Sequence, residues 1–304
     1  MTASPPKPTL APDDLRALRR VDNLRSLGAV CRILLGLVLC FVALRQLPHP
    51  ATYVVVFLLI GGLQHHLLIL QHETLHYILF TRRGANEIVG HVSSWLIGFS
   101  MGYRTIHLRH HKALGQDEDP DLFNYVNYPN RASYVLVDLL RNLSGIAAVL
   151  QFLAQRGAGG AERAAAPEGR RLDLGLLGLV LTQLALFGAI SLYLSWWYYP
   201  VFWLLPLVTL TKTLTHFRNV VEHARTRDVD NPEIARLRTI LCNPLEAFFF
   251  APLRFNYHAE HHLYTSIPYW QLVGAHERLK RRPEYDAAVD LQQGYLRFLL
   301  SLCR

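Results

Sequence analysis

Four short histidine clusters constrain this chain most, because the rings of each must aim at a common point. They are His72-Glu73-Thr74-Leu75-His76, His107-Leu108-Arg109-His110-His111, Asn219-Val220-Val221-Glu222-His223 and His258-Ala259-Glu260-His261-His262. Intervals of three and four residues stack side chains on one helix face. Each cluster therefore predicts a short helical segment presenting its imidazoles in one direction. A lone histidine is more often a satisfied core residue than a ligand. Two copies of His-x-x-His-His and one His-x-x-x-His in a single chain reverse that balance. Nine imidazoles and one amide are too many for one metal ion and enough for two, so the clusters predict a dinuclear site.

The clusters sit beside apolar runs of membrane length. Of 304 residues, 51% are hydrophobic and 18% charged, which is too apolar for an ordinary soluble domain of this size. Residues 33–47 extend back through 27–31 with Arg32 as the interruption. Residues 51–70 are nearly continuous, with Gln64, His65 and His66 in the last third. Residues 174–197 and 201–214 form a second pair, split by Tyr198, Tyr199 and Pro200. A span needs about 20 apolar residues. The pattern predicts an all-α integral membrane fold: four transmembrane helices in two hairpins, with a helical cap carrying the histidine clusters. Buried helices of a large soluble protein would need shorter runs, better separated by charge.

Basic residues set the expected orientation. Lys7, Arg16, Arg19, Arg20, Arg25 and Arg32 precede or enter the first run, whereas residues 46–52 and 198–200 carry no lysine or arginine. The positive-inside rule then puts both termini, the long middle region and all four clusters in the cytoplasm. Trp196, Trp197, Tyr198, Tyr199 and Trp203 form an aromatic belt at the far interface. The net charge of +8 fits this bias and attraction to anionic lipid; a sharper reading is a docking face for an acidic electron carrier. Nucleic-acid binding is excluded, because the basic residues are dispersed around spans and no recognition motif accompanies them. Cys31, Cys40, Cys242 and Cys303 lack metal spacing and read as reduced, small hydrophobes.

Along the chain, residues 1–9 read as a disordered arm without a cleavable signal, and 10–27 as a basic amphipathic helix at the interface. Residues 88–103 are apolar but short, as in a re-entrant or interfacial helix. Asp117, Glu118, Asp119 and Asp121, and Glu73, Glu222 and Glu260 beside the clusters, are candidates to orient ligating imidazoles. Residues 134–155 read as an amphipathic helix, 157–169 as a flexible loop, and Asn231-Pro232 as a turn. Residues 248–252 are apolar enough to dip into the interface, and Pro283 opens a mostly helical tail. No repeat or boundary divides residues 1–304, which are taken as one domain.

In order and spacing, the chain resembles the membrane fatty-acid desaturase superfamily, which includes acyl desaturases, sphingolipid desaturases, carotenoid ketolases and hydroxylases. The resemblance covers nearly the whole chain: span hairpin, His72-x-x-x-His76, a short apolar segment, His107-x-x-His110-His111, a second hairpin, Asn219-x-x-x-His223, and His258-x-x-His261-His262. Asp119-Pro120-Asp121, Asn256-Tyr257-His258 and His262-Leu263-Tyr264 also look like the family. The resemblance implies a cytoplasmic di-iron centre held by His72, His76, His107, His110, His111, His223, His258, His261 and His262, with Asn219 reaching one metal through water. It implies two ferrous ions as cofactor and dioxygen as co-substrate. It also implies a separate electron donor, a ferredoxin-like or haem carrier with its reductase, since no fused haem or ferredoxin domain is visible. Chemistry points the same way. Imidazole suits iron, zinc, copper and nickel, but zinc has no redox chemistry. His65 and His66 match no cluster and are expected to be structural or to line a tunnel. His49, His91, His216 and His276 are unassigned.

The leading expectation is an oxygen-dependent desaturase acting on an acyl or lipid-like chain, with membrane lipid and a hydrophobic substrate as partners. A hydroxylase or ketolase acting on a lipid, carotenoid or small secondary metabolite is the alternative within the same architecture. A non-catalytic metal-binding or transport protein is the alternative from another class. It would place ionisable ligands at mid-membrane, whereas these lie at the span ends.

Overall fold

The computed structural model describes residues 8–98, 101, 103–151, 153, 174–224 and 237–304. Residues 1–7 of the expected arm, the 157–169 loop and the Asn231-Pro232 turn lie outside the described residues. The first helices are α1 (Pro12–Leu18), α2 (Asn23–Gln46), α3 (Pro50–Leu75), α4 (Arg83–Leu96), α5 (Tyr103–Ala113), α6 (Ala132–Leu143) and α7 (Leu174–Tyr193). They are followed by α8 (Lys212–His223), α9 (Pro244–Phe250), α10 (His258–Leu263), α11 (Leu272–Leu279), α12 (Tyr285–Ala288) and α13 (Tyr295–Ser301).

The helix expected over 10–27 is divided. Asp22 accepts hydrogen bonds from the Leu24 and Arg25 N–H groups, capping a new helix at Asn23. Leu10 and Leu18, the latter on α1, pack with Leu272, Ala275 and Leu279 of α11. The segment before the first span thus docks on the cap. Helix α2 then presents Ala29, Ile33, Leu37, Cys40 and Leu44 to α3, which answers with Val56, Ile60, Leu63, Leu67 and Leu70. These are single faces at helical spacing. The opposite face of α2, with Leu34, Leu35, Val38 and Leu39, is exposed, as a lipid-facing surface would be.

Three of the described helices, α2, α3 and α7, are long and apolar enough to cross a membrane. The expected fourth run opens a longer helical path, 198–223. Two π-helical stretches, Pro200–Leu204 and Leu207–Thr211, interrupt it before α8. It carries Thr209, Thr211, Thr213 and Lys212 in its middle, which sets it apart from the other three. Its first turns meet the start of α3: the Tyr53 ring lies 5.6 Å from Phe202 and 6.5 Å from Tyr198. Arg45, at the end of α2, donates to the Tyr193 carbonyl at the end of α7. The aromatic residues around 193–203 therefore gather at the end remote from the histidine clusters.

Helix α3 is the axis. Gln64 donates to the Trp203 carbonyl at 2.8 Å, and the single O–H of Thr211 is shared between the Gly61 carbonyl at 2.9 Å and Gln64 Oε1 at 3.0 Å. Glycines make this approach possible. A Cβ on Gly61 would lie 2.6 Å from Leu210, and one on Gly62 2.5 Å from the Phe248 ring. Helix α4 lies across the far end of α3, with Gln71 donating to Ser94 at 2.8 Å. It exposes Ile88 and Val92 and is too short to span, as the sequence suggests.

Two expectations are corrected. The fold is not wholly α: β1 (Arg238–Leu241) pairs in parallel with β2 (Asp290–Gln293), Arg238 opposite Asp290. The buried Arg238 guanidinium explains the ladder. It bonds Asp290 at 2.9 Å, the Ala224 carbonyl at 3.1 Å and the Val221 carbonyl, tying β1 and the tail to the end of α8. The tail after Pro283 is accordingly part strand. The helix expected over 134–155 is interrupted: α6 ends at Leu143, the chain turns through Gly145 at φ 80°, a left-handed conformation that favours glycine, and it is helical again over residues 146–151.

Replacing Gly62 by valine forces the Phe248 ring, and α9 with it, away from α3. Overpacking of this kind costs about 1–3 kcal/mol. The Gly62→Val protein is expected to unfold at a lower temperature in detergent; an unchanged midpoint would mean that the ring yields freely.

Candidate metal centre

The four clusters arrive on four separate elements at one end of α3. His72 lies in its last turn and His76 is its C-cap. Helix α5 carries His107, His110 and His111; α8 ends on His223; α10 opens with His258 and carries His261 and His262. Five of the rings, those of His72, His76, His107, His111 and His261, bring ligand nitrogens within 4.8 Å of one another. His110, His223 and His262 form a second group of that kind. His258 joins it: its Nε2 lies 2.9 Å from His223 Nε2 and 3.0 Å from His262 Nε2. The pockets adjoin, since the His111 and His262 ring centres are 4.2 Å apart. All nine predicted imidazoles are thus brought together, five in one pocket and four in the other.

The donor set fits metal ions. His107 Nε2 faces His76 Nε2 at 2.8 Å and His111 Nε2 at 3.0 Å. His261 Nε2 faces His111 Nε2 at 3.2 Å. A neutral imidazole carries one N–H, so a single proton cannot satisfy a nitrogen facing two others. Lone pairs are left pointing at lone pairs, an arrangement that a shared cation resolves. The separations agree: metal–nitrogen bonds of about 2.1 Å give adjacent nitrogens roughly 3 Å apart in octahedral coordination. Both ring nitrogens of His72 and Oδ1 of Asn219 are buried without a hydrogen-bond partner. Asn219 lies one helical turn before His223, so its orphaned oxygen belongs to the same face of α8.

Burial keeps His76, His107, His111, His258, His261 and His262 neutral. It holds His107, His258, His261 and His262 well below the usual imidazole range, reinforced by the neighbouring rings. Burial also lowers His111 to about 2 and, with Arg104 nearby, His76 to about 4. Neutral imidazole is the form that ligates metal.

The carboxylates divide by contact. Asp119 lies 2.8 Å from His110 Nδ1. As an acceptor it fixes the proton on Nδ1 and frees Nε2 to ligate. Burial pushes the Asp119 carboxyl up, but His110, the Gly115 N–H and the Tyr125 hydroxyl outweigh it and hold it low. Asp121 is 3.9 Å from His110 and accepts the Tyr103 hydroxyl at 3.2 Å. Glu73 and Glu222 lie 3.7 Å from His72 and 3.6 Å from His258, beyond direct hydrogen bonding. Glu260 turns away from the box histidines. It bonds His276 at 2.7 Å, Tyr285 at 2.6 Å and the Thr239 hydroxyl, bracing α10 from behind.

The unmatched histidines are structural. His65 Nδ1 meets the Phe249 carbonyl at 2.7 Å, and His66 Nε2 the Phe248 carbonyl at 3.0 Å. His49 caps α3, accepting from Ala51 N–H at 3.2 Å. His216 meets Asp138 at 2.7 Å, and His91 is 4.0 Å from Glu87. Sequence reasoning missed two neighbours of the site. Phe255 packs its ring on His72, His258 and His261, with centres 4.6, 4.9 and 5.6 Å apart. Arg218 is buried over Phe255 and bonds Glu222 at 2.9 Å. Its place just before Asn219 was the only available signal.

The family model described as fatty acid desaturase matches residues 48–292. A beta-carotene ketolase of Paracoccus sp. (strain N81106 / MBIC 01143) is 27% identical over 230 residues, covering 74% of this chain and 79% of the relative. A beta-carotene ketolase of Paracoccus sp. (strain PC1) is 27% identical over 266 residues, covering 83% and 92%.

Removing the Asp119 carboxylate frees His110 to rotate and to take the wrong tautomer. Asp119→Ala is expected to weaken divalent-metal binding roughly 10- to 100-fold in competition with a chelator. Undiminished affinity would show that His110 needs no such partner.

Proposed function

The chain belongs to the fatty acid desaturase family, and on that premise we propose that it is a membrane oxidoreductase that uses dioxygen to oxidise a C–H bond of a hydrophobic, chain-like substrate. The observation that carries the reading is the pair of adjoining imidazole-rich pockets assembled from four separate segments, with the Glu222 carboxylate beside His223 and His258 in the second. In it, His72, His76, His107, His111 and His261 would hold one iron ion, and His110, His223, His258 and His262 the other. Asn219, whose Oδ1 is buried without a partner on the same helix face as His223, would serve the second. Bound there, the two ions would supply oxygen activation and the oxidising power for C–H cleavage. The chain's own residues do the rest. Asp119 fixes the His110 tautomer. Phe255 walls three of the rings against water. The Glu260 network holds α10 in register.

The ketolase relatives support oxygen insertion as the outcome. A methylene hydroxylated twice at one carbon loses water to leave a ketone. Desaturation is the second reading, supported by the family description. Desaturation differs only in that a second hydrogen leaves before oxygen is transferred. The deciding experiment is mass spectrometry of products formed in liposomes from a carotene and from an acyl lipid, with iron, oxygen and a reductase system. Added oxygen identifies a hydroxylase or ketolase, and loss of two hydrogens a desaturase. His261→Ala is expected to lose iron and all product. An iron-replete wild type that oxidises neither substrate would leave only metal binding.

Orientation and electron supply complete the proposal. The positive-inside bias puts the pockets in the cytoplasm, where a separate ferredoxin-like or haem carrier with its reductase delivers two electrons per turnover. Arg109 and Lys112, beside His110 and His111 in the chain, and Lys280, Arg281 and Arg282 are exposed and form the docking face. Arg278 and Arg104 contribute less, being engaged with Asp14 at 2.9 Å and Glu87 at 3.5 Å. The purified protein is expected to be inactive with NAD(P)H alone and active with an acidic carrier. The rate should fall as salt shortens the Debye length below about 8 Å. Turnover without a carrier, or a rate indifferent to salt and to charge reversal at Lys280, Arg281 and Arg282, would refute this part.

A further inference from the structure

A cavity of 430 Å³ lies between α2, α3 and the segment that leads from β1 into α10. Arg32, His66, Arg254, Tyr257, Tyr269 and the Phe248 ring line it. No box histidine and no carboxylate is among its lining residues.

Neighbouring arginines are engaged: Arg25 has Asp22 at 3.3 Å and the Trp270 ring beneath it. Arg278 pairs with Asp14. Among the described residues Arg32 meets no carboxylate and lies against the Tyr269 hydroxyl. Arg254 likewise forms no ion pair among the described residues. Arg32 also sits within a helix of membrane-crossing length and hydropathy. Ionisable residues there face a partner or a water-filled cavity and mark binding sites. Arg254 is delivered by two consecutive left-handed residues, Leu253 at φ 54° and Arg254 at φ 61°. Non-glycine residues adopt that conformation at a cost.

Each guanidinium offers five donors and no acceptor. His66 Nε2 is already engaged by the Phe248 carbonyl. The cavity is therefore rich in cations and donors, poor in acceptors, and apolar along Ala29, Ala247, Phe248 and Leu253. Its rim is lipid-facing in character: Leu245, beside the lining residue Pro244, is 69% exposed, and Leu34 and Leu35 on α2 are 41% and 57% exposed.

We propose that this cavity binds the anionic head of a membrane amphiphile, a carboxylate or a phosphate, with Arg32 and Arg254 as its counter-ions and the apolar chain leaving toward the bilayer between α2 and α9. The site is distinct from the metal centre but shares a wall with it. Arg254 immediately precedes Phe255, whose ring packs on three box histidines, and Tyr257 immediately precedes His258. The inference does not depend on the reaction proposed above, because its test reads binding alone.

The test measures equilibrium binding to the full-length protein in phosphatidylcholine nanodiscs. The probes are radiolabelled hexadecanoic acid, its methyl ester and phosphatidic acid. At least one acid probe is expected to bind saturably at one equivalent, and the ester at least about tenfold more weakly. Arg32→Gln and Arg254→Gln should each weaken the acid probe by about tenfold while retaining wild-type metal content. Binding of the fatty acid alone identifies a free carboxylate ligand, and binding of phosphatidate alone a resident phospholipid; both support the site. Ester and acid binding equally, or binding unchanged in both Gln variants, would overturn it. The acid-to-ester comparison uses the wild-type protein, so it decides even if a variant fails to fold.

Discussion

Imidazole nitrogens that face one another, with no protein donor between them, are the arrangement on which the rest of this structure depends. His107 Nε2 between His76 and His111, and His258 Nε2 between His223 and His262, are contacts that imidazoles alone do not favour. Lone pairs meet, and the rings are buried away from water. Such contacts persist only where the surrounding scaffold over-determines them. That scaffold is visible on every side. Helix α3 carries His72 and His76 and is locked through Gln64, Thr211 and the close approach at Gly61. Helix α8 is held at its end by Arg238, and α10 from behind by Glu260.

The same logic explains the polar residues in so apolar a chain. Most are spent on orientation. Asp119 fixes a tautomer. Glu222 links Arg218, Tyr295 and the neighbourhood of His258. His65 and His66 fasten α9 to α3 through two carbonyls. Buried atoms without a hydrogen-bond partner are spread through the fold, among them Ser26, Ser191 and the indole nitrogens of Trp95, Trp203 and Trp270; those at the centre are both ring nitrogens of His72, Asn219 Oδ1 and the Nδ1 atoms of His111, His223, His258 and His261. At the centre they lie beside rings whose Nε2 atoms already face one another, which is where a cation would complete the contacts.

Much of this was legible beforehand. The i, i+3, i+4 spacing within each cluster, carried on helices, determines which rings share a face, and that local rule survives folding unchanged. Apolar runs of membrane length mark α2, α3 and α7. Legibility failed where a partner distant in sequence decides. The strand at Arg238 exists because Asp290 and the end of α8 capture its guanidinium. The helix from 10 ends early because Asp22 can cap a new one and Leu18 finds α11. Glu260 has the same sequence context as Glu222, yet only the packing of His276, Tyr285 and Thr239 turns it outward.

The sequence by itself determined that nine imidazoles would be presented by four short segments beside apolar helices, because spacing and hydropathy are properties of neighbours along the chain. Only the tertiary structure decided how those rings divide, with His107 and His111 in one pocket and His110, from the same helix, in the other. The physical reason is rotation about the helix axis. Residues three and four apart point in similar but unequal directions, and that difference acquires meaning only when α3, α8 and α10 supply the opposing rings.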